Sequence, residues 1–245
     1  MTTPLDELRA DLSAEQAALE ALVADLKPAQ WVTPTPSEGW AVRDQIAHLA
    51  YFDEAAALAI TDPEGFAREL AVALEDVRGY EARYIERGRA LAPGELLAWW
   101  REARRRLAEA AGRLEPKARV AWYGPPMSVM SFLGARLMEA WLHGHDVTDA
   151  LGLARRDTDR IRHILVIGVR TRAFSYALRG LTPPAAPVRV DLVLPSGARW
   201  VDGEEDAENR IEGPAAREWM LVAQAFAGPP APGRKPGQFP RANPR

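Results

Sequence analysis

The chain contains four histidines, at positions 48, 143, 145 and 163, and two of them stand where spacing suggests chemistry. Glu139 and His143 lie four residues apart in MEAWLHGHD. On an α-helix, side chains at i and i+4 stack on one face, so a carboxylate and an imidazole there can reach one point between helices. The pair suits a divalent metal, although a surface Glu–His pair is the commoner meaning of ExxxH taken alone. His48 sits mid-helix in GWAVRDQIAHLAYFDE, with Ala41, Gln45, Leu49 and Phe52 nearby on an apolar face. An imidazole in that setting is either a buried group satisfied by hydrogen bonds or a metal ligand turned toward a bundle core. His145 follows His143 by two residues, which turns it roughly 200° around a regular helix, so the two cannot share one ion. It is expected to be exposed or to orient a ligand from behind. His163 lies in the apolar run IRHILVIGV and reads as a structural histidine.

Other polar and aromatic residues carry two readings each. Asp44, four before His48, either orients that imidazole or faces the dipole of the first helical turn. Asp146, three after His143, either plays the same part or forms a surface ion pair. Trp40 and Trp141 are expected to pack the core. Trp122 and Tyr123 read as anchors for their loop rather than as the lining of a pocket. Arg101, Arg104, Arg105 and Arg106 form a solvated helix face or a seat for an acidic cofactor.

Composition narrows the chemistry. The 245 residues are 47% hydrophobic and 27% charged, ordinary for a soluble globular protein with one large domain or two modest ones. With 31 basic and 34 acidic residues the formal charge is −3, which gives phosphate-backbone binding little to rest on, so nucleic acid is not an expected partner. There is no cysteine, so disulfides, iron–sulfur clusters, thiolate zinc sites and cysteine nucleophiles are excluded. Any thiol chemistry must use the thiol of a small molecule. Met1 to Leu12 is polar and acidic, unlike a signal peptide, and no stretch reaches the roughly 18 apolar residues of a membrane span. A cytoplasmic protein without membrane association is expected, as monomer or homodimer. Abundant Ala, Arg and Gly with scarce Lys point to a high-GC genome.

The elements that must position these residues are mostly helical. Thr3–Pro4 opens a helix whose leucines and valine, from Leu5 to Leu26, recur mostly at three- and four-residue steps, and Pro28 stops it. Residues 32–40 read as a loop. Further helices are expected over Ala41–Thr61, from Asp62–Pro63 to about Arg87 with Gly79 as a kink or early end, and from Pro93 past Leu107 to about Leu114. Residues 120–127 are a loop, and Ser128 caps a helix that Gly152 ends. This is the pattern of an up-and-down bundle. Past residue 155 its character changes. One helix, Asp157–Arg179, precedes a hairpin signal in Val188–Leu194, Ser196–Gly197 and Arg199–Val201. Asn209–Glu212 reads as a short third strand, Pro214–Ala227 as helix, and the Pro/Gly-rich tail from Gly228 as extended or disordered.

GWAVRDQIAHLA, the YGPPMS loop and MEAWLHGHD, in that order, resemble the mycothiol-dependent maleylpyruvate isomerase family of DinB-like metal-binding proteins, and within it an actinobacterial subgroup of metal-binding proteins. The resemblance implies a mainly α protein. A DinB-like four-helix bundle over residues 1–155 would be followed by a small α/β, sterol-carrier-like C-terminal domain over 156–228 and a tail over 229–245. It implies a divalent metal, zinc, held by His48, Glu139 and His143. It further implies an enzyme using a low-molecular-weight thiol such as mycothiol for transfer or isomerisation on a small electrophilic substrate. Two other readings stand beside this one: a zinc-water or Lewis-acid enzyme without thiol, for hydrolysis or a biosynthetic cyclisation, and a non-catalytic, metal-stabilised protein that binds a small ligand. Zinc, nickel and iron all accept imidazole and carboxylate, so the residue types alone leave the ion open.

Overall fold

A computed structural model describes residues 2–177 and 180–216. They group into two compact units, Met1–Ile167 and the part of Gly168–Arg245 that is described.

The first unit is built on four long helices: α1 (Pro4–Val23), α2 (Val42–Thr61), α5 (Pro93–Gly112) and α6 (Val129–Leu151). Each packs on two others in a ring, α1 on α6, α6 on α2, α2 on α5 and α5 on α1. The leucine spacing of α1 does what it implies, burying Leu5, Leu8, Leu12, Leu19 and Val23 on one stripe. Trp31, Ile46, Leu49, Trp100 and Val147 complete one core cluster with Leu19 and Val23. Removing each such side chain from water contributes about 1.5–3 kcal/mol.

The helix ends follow local chemistry. Thr3 accepts from the Asp6 N–H in a capping box with proline at the first turn, and Ser128 accepts from the Ser131 N–H to open α6. Gly152 closes α6 in the left-handed region at φ +63°, where a side chain would be strained. The helix expected from Pro63 to Arg87 is in fact two, α3 (Pro63–Glu75) and α4 (Val77–Ala90). The break falls at Asp76, three residues before the Gly79 on which it was expected. The Asp76 carboxylate accepts the Gly79 N–H, so an Asp-x-x-Gly cap starts the second helix and glycine is the residue capped. Both helices pack on α2.

Residues 120–127 are tied off by a two-residue ribbon, β1 (Arg119–Val120) antiparallel to β2 (Met127–Ser128). The following helix, α7, runs Ile161–Ala177 and starts four residues later than expected. Side chains hold the intervening segment in place: Asp157 takes bonds from Trp141 and His145, while Arg155 and Arg160 both pair with the buried Glu15.

In the second unit the hairpin forms as its sequence suggests. β3 (Val188–Val193) runs antiparallel to β4 (Arg199–Asp202), with Leu192 opposite Trp200, and parallel to β5 (Asn209–Pro214), giving the order β4-β3-β5. The helix expected over Pro214–Ala227 lies outside the described residues except for its first three positions, of which Pro214 ends β5. The expected tail lies wholly outside them. The described protein is thus mainly helical with a small sheet toward its C-terminus.

Candidate metal centre

Helices α2 and α6 face one another in opposite directions, and polar residues pair along the seam. Asp53 of α2 meets Arg136 of α6, His48 meets Glu139, and Gln45 meets His143 and Asp146. The middle of this ladder is the group singled out in the sequence. His48 Nε2 lies 3.0 Å and His143 Nε2 3.2 Å from the same carboxylate oxygen of Glu139. One ligand atom from each of the three residues lies within 4.8 Å of the others, and among the described residues this is the one such group of His, Asp or Glu. Two imidazole nitrogens and a carboxylate oxygen, partly buried and converging, are a donor set that fits a divalent ion.

Each ring is also held from behind. His48 Nδ1 lies 3.2 Å from the Tyr84 hydroxyl of α4, and His143 Nδ1 meets the Gln45 amide oxygen. Aromatic walls close the sides. Trp40 stacks on His143 at 6.0 Å between ring centres and lies 5.2 Å from His48, while Phe52 lies 4.5 Å from His48. Trp122 and Tyr123 pack on Phe52 and Phe66, so the proline-containing loop is anchored to the wall of the site. Trp40 also lines a cleft with Val32, Pro34, Arg43 and Arg89.

Burial and the neighbouring His143 pull the His48 imidazole down to about 4, so it is neutral at neutral pH. Burial pushes the Glu139 carboxyl up, but bonds from His143 and His48 outweigh it and hold the group well below the usual carboxylate range. A neutral imidazole and an ionised carboxylate are the protonation states that metal ligation needs.

Other sequence candidates fall elsewhere. Asp44 makes no bond to His48; it pairs with Arg89 and caps the Ala41 N–H, the first-turn role. Asp146 acts at one remove, accepting from Ser37 and Gln45. His145 turns away from the triad to Asp157, and His163 pairs with Asp11. Trp141 is buried with its indole N–H on Asp157. Arg101 and Arg104 pair with Glu20, and Arg105 and Arg106 with Glu102, so this helix face is neutralised internally. Sequence reasoning missed Tyr84 and the role of Gln45. Gln45 was visible as a polar residue one turn before His48, whereas nothing local marks Tyr84, which comes from a separate helix.

Comparison with known proteins agrees with this architecture. Two Mycobacterium tuberculosis proteins from different strains, both described as uncharacterized, are each 42% identical over 249 residues, covering 92% of this chain and 97% of theirs. A crystal structure of the mycothiol-dependent maleylpyruvate isomerase superposes with a TM-score of 0.60 at 19% identity, covering 90% of this chain and 89% of that one. A histidine-to-alanine mutant of that isomerase gives 0.59, also at 19% identity, over 91% of this chain and 90% of the other. The likeness to these two establishes the shared fold. The family model of the mycothiol maleylpyruvate isomerase N-terminal domain matches residues 12–148, more than half of the chain and the whole of the His48–Glu139–His143 region, and the protein belongs to that family.

Proposed function

We propose that this protein is a zinc enzyme that presents a low-molecular-weight thiol, such as mycothiol, to a small electrophilic substrate. The observation that carries the reading is the convergence of His48 Nε2 and His143 Nε2 on one oxygen of Glu139. Three protein donors of this kind are the set found at catalytic zinc centres, which keep a further position for a small ligand. The family supports mycothiol as the ligand, and the absence of cysteine means that any reacting sulfur is brought from outside.

Bound zinc supplies Lewis acidity and lowers the pKa of a thiol beside it. The chain's own residues do the rest. His48 and His143 contribute neutral nitrogens and Glu139 a negative charge, so the ion's charge is only partly compensated. Trp40 and Phe52 keep water from the flanks of the rings and so strengthen the electrostatics of the site. The thiol gives up its proton, and its sulfur adds to an electrophilic carbon of a substrate double bond, whose π pair moves onto the group that activates it. In a transfer the adduct takes a proton back and the carbon–sulfur bond remains in the product. In an isomerisation the former double bond, now single, rotates, and elimination breaks the carbon–sulfur bond, restores the double bond and returns the thiolate.

Calorimetry of mycothiol against zinc-loaded wild type and against His48→Ala tests the reading. Saturable binding to the wild type that is lost in the variant is expected. No zinc-dependent binding at millimolar thiol, or turnover in thiol-free buffer, would overturn the thiol in favour of a water or Lewis-acid mechanism.

A further inference from the structure

The hydrogen bonds behind His143 leave one arrangement of protons. Gln45 is fully buried, and its amide has three neighbours. Nε2 lies 2.8 Å from Thr35 Oγ1 and 3.0 Å from Asp146 Oδ2, while Oε1 meets His143 Nδ1. The orientation of an amide is settled by what surrounds it. The Asp146 carboxylate can only accept, and it already takes the Ser37 hydroxyl proton at 2.5 Å. The Thr35 hydroxyl gives its proton to the Trp40 carbonyl at 3.1 Å, so toward Gln45 its oxygen is an acceptor too. Two acceptors require both N–H bonds of the amide. Its oxygen is left for His143.

An amide oxygen cannot donate, so the hydrogen of that contact sits on His143 Nδ1. A ring that holds a second hydrogen gives it from Nε2 to Glu139, whereas a ring that holds only the Nδ1 hydrogen has a lone pair there. That lone pair points at Glu139 Oε2, itself an acceptor, 3.2 Å away. Two acceptors held face to face in a partly buried site are complementary to a cation between them. His48 is different, because the Tyr84 hydroxyl behind it can donate or accept and leaves that ring free to change tautomer.

We propose that Gln45 is a positioning residue which, held by Thr35 and Asp146, locks His143 in its Nδ1–H form and reserves the Nε2 lone pair for the divalent ion. The inference rests on the metal reading above. It assigns the Thr35–Ser37 loop and Asp146 a part in metal affinity without contact with the ion. It also explains why a fully buried polar amide is kept on the core-facing side of α2.

The test has two readouts besides activity. In metal-free wild type with 15N-labelled histidine, at mildly alkaline pH, long-range proton–nitrogen spectra should show His143 as the Nδ1–H tautomer. Gln45→Met should lose that single tautomer and lower zinc affinity, read by chelator competition, ten- to a hundred-fold, the range expected when the partner behind a ligand is removed. Asp146→Asn still offers an oxygen to the Gln45 amide, so it should keep the tautomer and most of the affinity. An Nε2–H tautomer at His143 in the wild type overturns the inference, whether or not Gln45→Met folds. A folded Gln45→Met with wild-type affinity overturns it as well, and leaves the metal reading standing. A wild type that takes up no divalent ion overturns both.

Discussion

The Tyr84 hydroxyl stands 3.2 Å from Nδ1 of His48, behind a ring whose Nε2 faces Glu139. Burial raises the Tyr84 phenol well above its usual value, so it stays protonated and can either give a hydrogen to Nδ1 or receive one. When His48 Nε2 serves an ion, Nδ1 keeps the hydrogen and Tyr84 must accept. Tyr84→Phe removes that acceptor and should weaken zinc binding about tenfold, or ~1.4 kcal/mol. Chelator competition at fixed pH measures it. Unchanged affinity would mean that packing against Trp40 and Phe52 alone orients the ring.

Gly88 is where α4 comes closest to α2. A Cβ built on it would lie 2.3 Å from the Ala47 Cβ, a distance that real side chains do not show. Gly88→Ala should therefore push the helices apart and cost about 1–3 kcal/mol in denaturant unfolding. Ala47 precedes His48 and Gly88 follows Tyr84 by one turn, so the same substitution should weaken metal binding. Gly94→Ala, with nothing within 4 Å of the new carbon, is the control and should leave both unchanged.

The segment after Gly152 should respond to acid through Asp157. Burial raises this carboxyl, but bonds from His145 and the Trp141 indole outweigh it and hold the group below its ordinary value. A depressed carboxyl stabilises the fold fully above the unfolded value, about 3.9, and loses that contribution as pH falls through the folded one. Asp157→Asn should cost roughly 1–3 kcal/mol at neutral pH. Below the carboxyl's own range the difference from wild type should close, as stability curves against pH would show. A constant difference down to the lowest pH would contradict this.

The sequence showed most of the bundle because its signals are local. Leu5 to Val23 sit at helical steps, Thr3–Pro4, Pro93 and Ser128 mark helix starts, and Gly152 marks an end. The alternation from Val188 to Leu192 likewise gave the hairpin. Glu139 and His143 were legible for the same reason, since four residues on one helix fix their proximity. His48 stood out as a mid-helix histidine on an apolar face, but its grouping with Glu139 came from the family resemblance, because 91 residues separate the two and only packing joins them. Separation along the chain likewise hid Tyr84, 36 residues from His48, and left Asp44 ambiguous, 45 residues from Arg89. Asp44 and Gln45 are neighbours, yet Asp44 turns to Arg89 and Gln45 turns to His143, a difference set by which face α6 covers. The division of the helix after Pro63 was expected at Gly79 and falls at Asp76, because Asp76 acts as a cap through its side chain, which periodicity does not register.

The metal site proposed at His48, Glu139 and His143 should hold one divalent ion. Elemental analysis of purified wild type, His143→Ala and His145→Ala tests it most directly. The two histidines are near in sequence but face opposite ways, His143 toward Glu139 and His145 toward Asp157. Wild type and His145→Ala should each carry about one zinc per chain, and His143→Ala essentially none. Full metal retention in His143→Ala, or its loss in a folded His145→Ala, would contradict the account.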